Sequence, residues 1–266
     1  MCTALISVDP GSDVPVLLLF TRDEMADRPW QLPGRYWPDR PTLIGGRDER
    51  LGGTWMAVRP GDDAAEPRVA FLLNGFGTFA SPERRLTRGD LPLIAASGEF
   101  ISDLDLTRYD PFHLLVADNA GVSMLTWDGS TLTDRKLSPG THLVSNRGLE
   151  AEHDELPKAP AQAETLIEAR IKHFRPLLQS TPRPEPSPDH GLSTQEAWGS
   201  WMRIADGDGL DVGDVRALIG KHDWGGEHGL WLTVSVSLVA IGSGGVRYDL
   251  NPAPGEAKWY EVVTTA

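Results

Sequence analysis

Apolar positions open the chain in two short runs, residues 2 to 9 and Val14 to Phe20, with the turn-forming residues Pro10 to Asp13 between them. That pattern predicts a β-hairpin. Both runs are apolar on successive residues instead of alternate ones, which suits strands covered on each face, as in layered architectures. The N-terminus is therefore expected to begin inside the fold.

Residues 28 to 42 hold four prolines and no period, and predict a loop. Leu43 to Pro60 mixes glycine pairs with apolar residues in a second hairpin pattern. Val69 to Leu73 reads as a strand, and Thr87 to Ala96, with Pro92 near its start, as the opening of a short helix. Phe112 to Val116 and Val122 to Trp127 read as paired strands around Asn119-Ala120-Gly121, and Leu132 to Val144 continues the sheet.

The texture then changes. Ala161 to Leu178 carries apolar residues at Ala163, Leu166, Ile167, Ile171, Phe174 and Leu178, the spacing of one buried helix face. Four prolines between 180 and 190 make a loop, Thr194 to Ile204 reads as a second helix capped by Thr194, and Val212 to Ile219 as a third. Leu230 to Ile241 alternates strongly, and Val246 to Leu250 and Trp259 to Val263 read as closing strands. Strands thus bracket helices over 266 residues with no fixed-period repeat, and a single domain spanning 1–266 is expected.

Composition narrows the function classes. A formal net charge of -13 opposes condensation onto nucleic acid phosphates or anionic lipid. The apolar runs are too short to span a bilayer, and the start lacks the basic residues and apolar core of a signal peptide. Cys2 is the one cysteine, so one chain builds neither an internal disulfide nor a cysteine-based metal site, which points to a reducing, cytoplasmic setting. His222 and His228 flank Gly225-Gly226 at a spacing that fits neither helix nor strand ligand geometry, and Asp206-Gly207-Asp208-Gly209 lacks the later glutamate of a calcium loop. Neither a metal nor a cofactor is expected.

Position 2 gives the cysteine its interest. A residue this small permits removal of the initiating methionine, leaving an α-amine beside the thiol. The amine titrates near about 8 and the thiol near about 8.5, so the amine is suited to act as the base for its own sulfur.

The start Met1-Cys2-Thr3, the segment Thr21-Arg22-Asp23-Glu24, Gly45-Gly46-Arg47-Asp48 leading into Gly52-Gly53-Thr54-Trp55, and Arg88-Gly89-Asp90-Leu91 together resemble the pattern of the NRDE family. This is the transport and Golgi organisation 2 type. Leu143-Val144-Ser145-Asn146 and Leu156-Pro157-Lys158 are similar to its later part. Thr21 stands where the name-giving asparagine would be. The resemblance extends to cysteine-type N-terminal-nucleophile hydrolases, and implies an α+β fold, a four-layer αββα sandwich of two mainly antiparallel sheets. It also implies a catalytic group of Cys2, Arg22 and Asp23, with Asn74 and Asn146 as oxyanion donors; the late arginine of those enzymes has no evident counterpart in the segment before Val234 to Ile241.

Two functions follow from it. One is hydrolysis of an amide or thioester at Cys2. The other is carriage of haem or an acyl-coenzyme A lipid, with the Cys2 thiolate as the only soft haem ligand and Arg22, Arg47 and Arg88 as candidate phosphate contacts.

Overall fold

The computed structural model describes residues 1–62, 65–152, 156–186, 191–226, 229–256 and 258–264. His228 and residues 187–190 of the proline-rich stretch lie outside them. The first half forms strands β1 (Thr3–Val8), β2 (Val16–Met25), β3 (Trp30–Gly34), β4 (Gly45–Asp48), β5 (Met56–Arg59) and β6 (Arg68–Asn74), then helix α1 (Leu91–Ser97). Strands β7 (Phe112–Asp118), β8 (Gly121–Trp127), β9 (Leu132–Lys136), β10 (Gly140–Ser145) and β11 (Gly148–Leu149) follow. Helices α2 (Ala161–Ser180), α3 (Thr194–Trp198) and α4 (Trp201–Ala205) precede β12 (Lys221–Asp223), β13 (Leu230–Gly242), β14 (Gly245–Asn251) and β15 (Tyr260–Glu261).

The chain is α+β, its sheets mainly antiparallel and its helices few. An eight-stranded sheet runs β11-β10-β1-β2-β13-β14-β15 with β12 on β13, a five-stranded sheet runs β5-β6-β7-β8-β9, and β3 pairs with β4. Strands β1 and β2 sit at the centre of the large sheet, which is why their residues are apolar in succession. Ala4, Ile6, Leu18 and Phe20 meet Val58, Val69, Phe71 and Leu115 of the smaller sheet. Their alternates Leu5, Leu17 and Leu19 meet Phe174 and Leu178 of α2 together with Trp198 and Trp201. On the far side of the smaller sheet, Ala57, Ala70 and Leu114 pack against Leu91, Leu93 and Ala95 of α1.

Five segments depart from the pattern reading. Residues 28 to 42 include β3, and Leu43 to Pro60 is no simple hairpin: β4 pairs with β3 and β5 with β6, joined by an Ile44 to Val58 bridge. The glycines explain the closeness, since a Cβ on Gly45 would lie 2.5 Å from the Met56 carbonyl and one on Gly46 2.4 Å from the Trp55 ring. Leu132 to Val144 divides at Pro139, which lacks the ladder's N–H donor, so β9 stays in the small sheet and β10 joins the large one. The second helix is capped by Ser193, in a capping box with Glu196, and breaks at Gly199, where φ is 48°.

Val212 to Ile219 is not helical. Asp211 accepts from the Gly213 N–H and Asp214 from the Arg216 N–H, each at 2.8 Å, and these local turns compete with helix for the same donors.

Candidate active site

The register of the first hairpin builds the centre. Thr3 pairs with Thr21, so the residue before β1 faces the end of β2, where Arg22 and Asp23 follow. Thr21 is fully buried; its hydroxyl accepts from the Thr3 N–H at 3.2 Å and holds the start of β1 in place. The Met1 ammonium donates to Asp23 Oδ2 at 2.6 Å, and Cys2 Sγ lies 3.7 Å from the Asp23 carbonyl oxygen.

Asp23 is buried and held from three sides. Thr233 Oγ1 donates to its Oδ1 at 2.6 Å, while Arg170 Nη1 approaches its Oδ2 at 3.7 Å. Burial pushes the Asp23 carboxyl up, but the Met1 ammonium, Arg170 and these hydrogen bonds outweigh it and hold the group below the usual carboxylate range. Arg170 also donates from Nη1 to the Met1 carbonyl at 2.8 Å and to Thr3 Oγ1 at 2.7 Å. One guanidinium on α2 therefore ties down the backbone before the thiol, the strand after it and the carboxylate beside it.

Thr233 reaches Asp23 through a bulge. On β13 the register with β2 shifts between Thr233 and Ser235. Val239 and Ile241 face the small sheet, as alternation from Ser235 onward requires, yet Thr233 lands opposite Asp23, whose side faces the other layer. The extra residue reverses the parity.

Arg22 takes the opposite face of β2. Its guanidinium lies 3.9 Å from the Trp55 ring centroid, and Trp55 meets Trp30 edge-on at 5.3 Å. Nη2 contacts Glu24 at 3.4 Å and Asp48 at 3.7 Å, whereas buried Nη1 has no hydrogen-bond partner among the described residues. For Cys2 itself, burial pushes the thiol above its ordinary value; the Met1 ammonium and Arg22 pull it down, and Asp23 pushes it up.

Asn74 ends β6 and Asn146 follows β10, and the fold brings the two together: Asn146 Nδ2 donates to the Asn74 carbonyl at 2.8 Å. A carbonyl cannot donate, so the Asn146 carboxamide is fixed with Nδ2 towards Asn74, and its buried Oδ1 has no partner among the described residues. The Asn74 side chain is exposed.

Two cavities meet at the thiol. One, about 320 Å³, is lined by Arg22, Arg28, Arg85, Arg88 and their neighbouring carboxylates; the other, about 400 Å³, is lined by Phe76, Ala163, Trp224 and Trp231. Cys2, Asp23 and Asn74 line both, and Asn146 the second. Arg88 is brought to the first cavity by a backbone contact: a Cβ on Gly53 would lie 2.6 Å from the Gly89 carbonyl carbon, and Thr54 N–H bonds Gly89 O at 2.9 Å. That contact is the structural reason for glycines in both segments. Arg47 is exposed on β4 and lines neither cavity. Among the described residues, no group of three or more His, Cys, Asp or Glu is placed to hold a metal.

The arrangement defines an α+β protein with a cysteine, an ammonium and a buried carboxylate gathered at its N-terminus. The chain belongs to the transport and Golgi organisation 2 family, whose model matches residues 1–198. A comparison with curated proteins finds no match. The matched span contains Cys2, Arg22, Asp23, Asn74, Arg88, Asn146 and Arg170 and ends before Thr233. No described helix is long and apolar enough to cross a membrane.

Proposed function

We propose that Cys2 is the nucleophile of an amide or thioester hydrolase of the N-terminal-nucleophile type, built as one four-layer αββα domain over residues 1–266 and working in the reducing cytoplasm. The observation that carries this reading is the salt bridge of the N-terminal ammonium with Asp23 beside the Cys2 sulfur. Removal of Met1 would hand the α-amine to Cys2 and leave Asp23 free to hold it. The amine then takes the thiol proton, Arg22 stabilises the thiolate, and the exposed Asn74 carboxamide is the donor best suited to a developing oxyanion. The two facing sheets with helices on their outer sides support the fold, and β13 lying between β2 and β14 supports a single unit. Mass spectrometry of the intact protein should find an N-terminus at Cys2. Cys2→Ala should reduce turnover of a panel of acyl amides and thioesters to the uncatalysed rate; sustained turnover by that variant would remove the proposal.

Carriage of haem or an acyl-coenzyme A lipid is the second reading, favoured by the apolar cavity of Phe76, Trp224 and Trp231 beside the sulfur and by Arg22 and Arg88 in the cavity that adjoins it. A mature protein that keeps Met1 and binds such a ligand unchanged would select it.

A further inference from the structure

Hairpin turns ordinarily lie in solvent, yet the one joining β10 to β11 does not. Ser145 pairs with Gly148, which leaves Asn146 and Arg147 as the central residues, and all four are buried. A buried turn needs donors for its carbonyls, and here the other sheet supplies one. His113 of β7, only 3% exposed, points between the sheets on the face that carries Leu115. Its Nε2 lies 3.2 Å from the Asn146 carbonyl oxygen, and its Nδ1 lies 3.0 Å from Oγ1 of Thr126, its cross-strand partner on β8. A carbonyl only accepts, so Nε2 carries the hydrogen, and in the neutral ring the Thr126 hydroxyl donates to Nδ1. The ring also rests on the turn itself: Gly148 has a φ of 95°, and a Cβ there would lie 3.0 Å from His113 Cε1. Helix α2 holds the other central residue through the ion pair of Arg147 with Glu164.

The turn is tied back to β6, since Asn146 Nδ2 donates to the Asn74 carbonyl at 2.8 Å, and Leu73, the residue before Asn74, is the cross-strand partner of His113. The contacts therefore close a circuit from β6 through β7 and His113 to Asn146 and back to Asn74. We infer that His113 is a positioning residue for the candidate site: by fixing the Asn146 carbonyl it aims the Asn146 carboxamide, and so holds the peptide of Asn74 where the cavities open beside Cys2. An apolar side chain would fill the space between the sheets without the cost of desolvating an imidazole. What it could not supply is direction. The effect on turnover rests on the reading of Asn74 as the oxyanion donor; the effect on Asn146 does not.

Two substitutions separate position from packing. His113→Gln keeps an N–H donor at the reach of Nε2, and His113→Leu keeps apolar volume alone. Exchange of the Asn146 carboxamide hydrogens with water is followed by NMR, their resonance identified by its absence in Asn146→Asp. It should be at least about tenfold faster in His113→Leu, the worth of one typical hydrogen bond, and close to the unsubstituted rate in His113→Gln. Loss of an oxyanion donor costs about 10²–10³ in kcat, so its misplacement in His113→Leu should lower kcat on the acyl amide and thioester panel at least about tenfold. KM should change little, and His113→Gln should recover kcat. Exchange unchanged in a folded leucine variant overturns the inference, and so does faster exchange with kcat retained. Should the leucine variant fail to melt cooperatively, Thr126→Val removes the hydroxyl that orients the imidazole while keeping its volume, and it must quicken the same exchange or the inference falls. If the unsubstituted protein turns over nothing on the panel, the hydrolase reading falls and the exchange rates alone decide the role of His113.

Discussion

Thiolate, not thiol, reacts with alkylating reagents, so the Cys2 environment is open to direct titration. With burial holding the thiol up, its iodoacetamide rate should rise with a midpoint above the ordinary thiol value of about 8.5. Arg22→Gln removes a positive charge that favours the thiolate, so the midpoint should move further alkaline, and Arg22→Lys should move it less. A midpoint that stays put in Arg22→Gln would mean that Arg22 acts by stacking on Trp55 and not through its charge. The meeting of Cys2, Arg22 and Asp23 was legible in the sequence because a hairpin of two successive strands brings the start of one opposite the end of the other. Arg170 was not named, although a signal was present: it falls on the buried stripe of α2 between Ile167 and Phe174, where an arginine needs a buried partner. Thr233 left no such trace, because Leu230 to Ile241 reads as one alternating strand and a bulge changes parity without changing composition.

At the scale of elements, α3 is docked through one carboxylate. Asp249 on β14 accepts from Thr194 Oγ1 at 2.7 Å and from Trp198 Nε1 at 2.8 Å, and it pairs with Arg247, which like Asp249 is almost wholly buried. Asp249→Ala removes the nearer carboxylate of the buried guanidinium, leaving Glu261 at 3.7 Å, and should cost about 3–5 kcal/mol in urea denaturation. Truncating the Ser193 cap to alanine should cost about 1 kcal/mol by the same measurement, since α3 is short and its capping box is complete. The long helix, the opening hairpin and the β7 to β8 pair follow from periodicity and turn residues alone. What periodicity could not supply is sheet membership: β4 and β5, like β9 and β10, are neighbours in sequence that belong to different sheets; Pro139 marks the second division, while Gly45 and Gly46 let β4 pass close to Trp55 and Met56 without joining their sheet.

For the molecule as a whole, the decisive strand arrives late. β13 pairs with β2 along nearly its whole length, and Val236, Leu238 and Ala240 complete the core beneath α2. A chain ended after residue 198 would retain the segment matched to the family yet lose the neighbour of its central strand. Such a fragment should show no cooperative thermal transition by circular dichroism, whereas the full chain should melt in one; a cooperative fragment would divide the protein into two units. The position of Cys2 at the meeting of two cavities has a practical corollary. A compound seated in either cavity screens the same sulfur, so slowed modification by a small disulfide reagent reports occupancy from both sides. Candidate metabolites can therefore be ranked by protection alone, before any reaction is known.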